Sequence, residues 1–333
     1  MKRFGISRGV SPRETFQQVG EIAKEIEDLG FEALWFVDHQ LGMKDVYTAM
    51  DVAAMSTKKI QIGSAVTNLQ TRHPTVTANA TTALDELSNG RAILGLGAGW
   101  VAVHSIGMMP NKAEEIRKGI NFFRDLFSGK EIDFNGTPGA LATARRQIPV
   151  YLAVSQPAML RLSGETCDGA ILMGSADPEF CKWQLDFIYQ GLEKAKRKRG
   201  DLTIDLIVTM SIDEDEQKAL SDVRAWATSQ AATFDVWKQM PAAWEKFRPQ
   251  FRQAAEHYHY KDHLSLHAEH KQIVSDEFVK SVTVAGNLKH CQERLKDVAK
   301  LDIDRISFTL LSGGRRRRLQ QIATDIMPVL AKV

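Results

Sequence analysis

The sequence is poor in the features that place a protein quickly. Its three cysteines, Cys167, Cys181 and Cys291, are too few and too scattered for a disulfide framework or a metal knuckle. An odd, dispersed count suits a reducing compartment, and the cytoplasm is the expected location. No apolar run is long enough to span a bilayer, and Met1-Lys-Arg-Phe-Gly-Ile6 leads into a strand without the apolar stretch of a secretory signal. Neither charge dominates. Lys and Arg number 43 against 41 Asp and Glu, and the net charge of +2 argues against a nucleic-acid surface. Repeats and low-complexity segments are missing too. The 333 residues, 44% hydrophobic, can bury a large core in two average domains or one large barrel.

What is present is organised around Leu84-Asp-Glu-Leu-Ser-Asn-Gly-Arg-Ala-Ile-Leu-Gly-Leu-Gly-Ala-Gly-Trp100. Ser88-Asn89-Gly90 is a helix stop, with residues that tolerate left-handed backbone. Ala92 to Leu96 is apolar without alternation, the pattern of a parallel strand buried on both faces. Gly95, Gly97 and Gly99 then strip side chains from the strand exit. Two readings stay open: something flat or charged approaches the backbone, or the turn is simply close-packed. The glycines run into Trp100 and a long irregular segment instead of opening a helix, so a Rossmann fingerprint is rejected.

The same strand grammar recurs along the chain. Short apolar strands are expected at 4–7, 33–37, 60–66, 92–96, 150–154, 169–173, 204–212 and 305–310. Helices are expected from a Ser11-Pro12 cap to Leu29, then at 46–56, 73–87, 112–127, 157–165, 177–199 and 315–330. Residues 128–147, marked by Gly and Pro, read as a surface excursion. Eight strands alternating with amphipathic helices predict an α/β fold, a single (β/α)8 TIM barrel over residues 1–333. The exception is Asp213 to Leu301, a long helical insertion between strands seven and eight, expected to serve as a lid and dimer surface.

Chemistry in such a barrel belongs at the C-terminal strand ends. Here they offer Ser7, Asp38-His39, Ala65 to Asn68, Gly97 to Trp100, Ser155-Gln156, Gly174-Ser175 and Ser312-Gly313-Gly314. No carboxylate pair suits glycoside chemistry and no serine sits in a nucleophile elbow. A small, polar, glycine-rich mouth suits a bound cofactor that carries the reactivity while the protein orients it.

Four segments carry a resemblance: Phe31-Glu-Ala-Leu-Trp-Phe-Val-Asp-His39, Ile62-Gly-Ser-Ala-Val-Thr-Asn68, Thr82 to Gly99, and Cys167-Asp-Gly-Ala-Ile171. Together they resemble the bacterial luciferase-like superfamily, and within it the methylenetetrahydromethanopterin reductase group. The resemblance implies a (β/α)8 barrel that holds FMN or the deazaflavin coenzyme F-420 at the strand exits. It puts Asp38 and His39 beside the ring and a non-proline cis peptide at Ala65–Val66. Thr67 and Asn68 would reach the polar edge of the ring, with Gly97, Ala98 and Gly99 close to the ring or its ribityl chain. Ser155 and Gln156 would meet the phosphate at a helix N-terminus, and Gly174 and Ser175 form a second contact. The implied activity is hydride transfer between coenzyme F-420 and a small organic substrate, by a homodimer. The alternative is an FMN-dependent monooxygenase using oxygen. The reductase group has acidic residues where this chain has Ser7 and Trp100, which argues against a pterin substrate. Trp100 either stacks on an aromatic substrate or fills space.

Other residues admit more than one reading. His39 is a proton donor or a structural side chain, and His73 before Pro74 is read as a helix cap. His259, His263, His267 and His270, with His257 before them, recur at helical spacing in the insertion. They suit an anionic or aromatic substrate under the lid, a solvated interface stripe, or a metal as in a zinc hydrolase. No metal motif is matched, and no metal is expected. Arg315 to Arg318 oppose the dipole of the last helix, either as a solvated face or around an anion. A barrel that has lost its cofactor and only binds or assembles is a different class of answer.

Overall fold

The structure is a computed structural model describing residues 2–257 and 273–333. Four strands open the barrel: β1 (Arg3–Arg8), β2 (Ala33–Phe36), β3 (Gln61–Ser64) and β4 (Ala92–Leu96). A hairpin of two-residue strands, β5 (Ile132–Asp133) and β6 (Pro138–Gly139), stands apart from it. β7 (Val150–Val154), β8 (Gly169–Leu172) and β9 (Thr203–Ile212) continue the barrel, β10 (Val284–Gly286) adds to the far end of β9, and β11 (Arg305–Leu310) follows. β8 pairs with β9, β9 with β11 and β11 with β1, all parallel, which closes eight strands into a TIM barrel. The (β/α)8 expectation is met.

The outer ring starts with α1 (Phe16–Asp28), α2 (Val46–Ser56), α3 (Pro74–Leu87), α4 (Val101–His104) and α5 (Ala113–Phe127). Next come α6 (Pro157–Thr166), α7 (Pro178–Lys194), α8 (Glu216–Phe234), α9 (Arg248–His257), α10 (Asp276–Val282) and α11 (Leu288–Ala299). The chain ends in α12 (Arg315–Gln321), a π-helical turn at Ile322–Ile326 and α13 (Met327–Leu330). Several helix starts follow from local chemistry. Thr15 and Gln18 form a capping box for α1, so it begins after the expected Ser11-Pro12. His73 caps α3, its ring nitrogen accepting from the Thr75 amide at 3.3 Å, as expected. The segment after Trp100, expected to be irregular, contains α4, whose four residues are too few for a periodic signal.

Three apolar layers result. Inside the barrel lie Ala33, Trp35, Ala65, Ile93, Tyr151, Ile171 and Ile207. Beneath them Asp205 and Arg305, neighbours across β9 and β11, form a fully buried pair that also takes in the Trp35 indole and the Ser307 hydroxyl. The main core lies between strands and helices. A separate aromatic core joins Phe180 of α7 to Phe234, Trp244, Phe251 and Phe278 of the insertion. Within residues 213–301, β10 and α11 pack on the barrel core, whereas α8, α9 and α10 build this second one. His259, His263, His267 and His270 lie outside the described residues.

Candidate active site

The exit of β3 shapes the mouth. After Ser64 the chain leaves the strand, the Ala65–Val66 peptide is cis, and Thr67 returns to bridge Leu96 of β4. Backbone bonds hold this detour on both sides: the Ala65 amide donates to Phe36, the Thr67 amide to Gly95, and the Gly97 amide to Thr67. β3 therefore stops two residues before the expected Val66. The glycines of β4 are the other half of the arrangement. A Cβ on Gly95 would stand 1.8 Å from the Ser64 carbonyl oxygen, and one on Gly97 would stand 2.5 Å from Val66 Cγ2. Gly99, at φ +85°, packs under Asn68. The Gly95-Leu-Gly-Ala-Gly99 run is thus required by the neighbouring strand exit, whatever lies above it.

Asp38, at the end of β2, is 5% exposed. Its carboxylate accepts from the Thr67 hydroxyl at 2.7 Å and from Arg72 Nη1 at 2.6 Å. Arg72 also reaches Asp45, the N-cap of α2, and lies 5.0 Å from the centre of the Tyr47 ring. Burial works against the charge on Arg72, but the hydrogen bond and charge of Asp38 outweigh it and raise the Arg72 pKa. Asp38 is therefore an anchored residue, tying the β2 and β3 exits together. Sequence reasoning missed Arg72, which comes 34 positions after Asp38 with no motif around it.

His39 follows, half-buried. Burial lowers its pKa and the Asp38 charge opposes the shift, so the imidazole is neutral near pH 7. His104, with its pKa also lowered by burial, sets its ring edge-on to Trp100 at 4.8 Å between centres. Gln40 Nε2 donates to the Ala102 carbonyl, tying the β2 exit to α4.

The sequence-expected residues divide into two shells. His39, Val66, Ala98, Gly99, Trp100, Ser155 and Gln156 keep partial exposure at the strand exits. The rest are covered. Thr67 is fully buried with its hydroxyl on Asp38, and Ala65 belongs to the barrel interior. Asn68 is 1% exposed, its Oδ1 accepting from the Gln70 and Thr71 amides while Nδ2 has no partner. Ser175 donates to the Ser281 carbonyl of α10, and Gly174 sits against Phe180 and Phe234. These two join the barrel to the insertion. Gln156 caps α6 without a side-chain bond, leaving the first-turn amides of a ten-residue helix to an incoming anion. An uncapped helix start, a half-open surface at Val66 and Ala98 to Trp100, and an unsatisfied amide on Asn68 fit a flat ring carrying a phosphate. Among the described residues no group of three His, Cys, Asp or Glu is placed to hold a metal ion.

A closed parallel barrel with this mouth is a barrel enzyme whose bound group performs the chemistry. The chain belongs to the luciferase-like monooxygenase family, whose model matches residues 3–305, and it is an oxidoreductase. It is 27% identical to the 5,10-methylenetetrahydromethanopterin reductase of Archaeoglobus fulgidus, covering 98% of this chain and 99% of the relative. It is 25% identical to the F-420-dependent glucose-6-phosphate dehydrogenase of Amycolatopsis mediterranei, covering 93% of each. The solved F-420-dependent tetrahydromethanopterin reductase of Methanopyrus kandleri shares the fold, with a TM-score of 0.79, 21% identity, and 98% and 99% coverage.

Proposed function

We propose that the chain moves a hydride between coenzyme F-420 and a small organic substrate, with the deazaflavin seated at the strand exits. The carrying observation is near-full-length likeness to a reductase and to an F-420-dependent dehydrogenase, combined with the two-shell mouth. The deazaflavin supplies the redox chemistry, passing two electrons at a time and reacting poorly with oxygen. This chain's residues would position it. Val66, Ala98 and Gly99 border the ring, with Gly97 packed beneath Val66, Ser155, Gln156 and the α6 amides hold the phosphate, and His39 and Trp100 face the substrate. A neutral His39 beside Asp38 suits a group that accepts a proton from the reacting atom.

The three free, buried cysteines support a cytoplasmic setting, and among the described residues no helix is long and apolar enough to cross a membrane. Family likeness supports a homodimer, with residues 213–301 as lid and contact surface.

A parallel titration with F-420 and FMN, read by cofactor fluorescence quenching, tests the reading. F-420 is expected to saturate at low micromolar concentration and FMN to bind far more weakly. Tight FMN binding with oxygen consumption, and no affinity for F-420, would make the chain an FMN-dependent monooxygenase instead.

A further inference from the structure

The exits of β1 and β11 hold positive charge that hydride transfer leaves without a role. The two strands are parallel neighbours with Ile6 opposite Phe308, so Arg8 at the end of β1 stands beside the chain leaving β11. Arg8 is 9% exposed. Both oxygens of Glu14 accept from its Nη2, while its Nη1 is buried with no hydrogen-bond partner. Ser312, 4% exposed, has a buried hydroxyl that also lacks a partner. Burial lowers the Arg8 pKa, Glu14 opposes this, and the like charge of nearby Arg315 adds to the lowering.

Arg315, Arg316 and Arg318 of the last helix differ in their partners. Arg316 faces Glu21 and Glu25, and Arg318 reaches Asp213 and Gln321. Arg315 has no carboxylate among the described residues. Gly313 and Gly314, just before it, have nothing within 4 Å of an added Cβ, so the backbone there is open. Arg8 thus has its single carboxylate in Glu14 and Arg315 has none among the described residues, beside a buried N–H and a buried O–H with nothing to bond. A buried charged donor left unsatisfied is costly, and one anion would meet Nη1, the Ser312 hydroxyl and the Arg315 charge together.

We propose that Arg8, Ser312 and Arg315 form a binding site for a single carboxylate or phosphate group at the β1–β11 rim. The anion arrives on the small-molecule substrate or on the cofactor's side arm. Only this choice of source rests on the F-420 reading.

The test is calorimetric titration of inorganic phosphate into the full chain, first without cofactor and then saturated with F-420. Saturable binding is expected, weakened about tenfold or more in Arg315→Gln and in Ser312→Ala. Arg145→Gln, on the 128–147 excursion, is expected to bind like the wild type. Melting temperatures confirm that each variant is folded. Retention of the phosphate site in the F-420-loaded protein assigns the anion to the substrate. Displacement by F-420, but not by a deazaflavin cut back to its ring and ribityl chain, assigns it to the side arm. No saturable phosphate binding, or equal affinity in the wild type and both site variants, overturns the proposal. The cofactor-free titration stands whether or not F-420 binds, so the two readings fail separately.

Discussion

Asp38 shows how little a residue's identity says about its state until its partners are known. A carboxylate at a strand exit next to a histidine looks like a free acid or base, yet Arg72 and Thr67 hold it. Arg72→Met is expected to destabilise the protein by about 2–3 kcal/mol, because it leaves a buried carboxylate short of its charged donor. Asp38→Asn in the same background recovers part of the loss. Urea unfolding of the two single variants and the double variant measures this coupling, and strict additivity would remove the pair from the account. His39 makes a pH prediction. Its folded pKa lies below its unfolded value of about 6.5, so the folded state binds fewer protons between the two. Stability present above the unfolded pKa is lost as pH falls through that window. The melting temperature should drop as pH falls below about 6.5, and drop less in His39→Gln. An equal drop in both would place the cause elsewhere.

At the scale of elements, the mouth is a fit between two strand exits. Gly97→Ala is expected to lower the melting temperature, because its Cβ would meet Val66 Cγ2 at 2.5 Å. Val66→Ala removes that methyl, so Gly97→Ala should cost less in the Val66→Ala background. A cost unchanged by the second substitution would mean that the two residues do not share this contact. The barrel strands were legible because they are short apolar-rich segments between helices, and β2, β4, β7 and β8 run without alternation, the mark of burial on both faces. β10 was not, since Val-Ala-Gly is too short for any pattern. α1 started late because Thr15-x-x-Gln18 is the better cap, and Ser11-Pro12 only looked like one. Ser175 appeared available at a strand exit, but its partner Ser281 lies 106 positions on, in the insertion. Arg72 was missed for the same reason. An ion pair closed by the fold leaves no periodicity in the chain.

The whole molecule joins two cores with different duties. The barrel sets the strand exits on a rigid ring, stiffened below by the Asp205–Arg305 pair, while the aromatic core of α8, α9 and α10 packs over the β8 exit through Phe180. In this arrangement the inner shell of Asp38, Thr67, Asn68 and Ser175 fixes the mouth, and the half-open outer shell is left for a ligand. Ala98 belongs to the outer shell and keeps partial exposure, so a large side chain there is expected to crowd the mouth. The most direct measurement is therefore an F-420 titration of the wild type beside Ala98→Trp, with melting temperatures taken on both. The account predicts saturable binding by the wild type and at least about tenfold weaker binding by an equally stable Ala98→Trp. Equal F-420 affinity in the two proteins, or no binding by the wild type at high micromolar concentration, would contradict it.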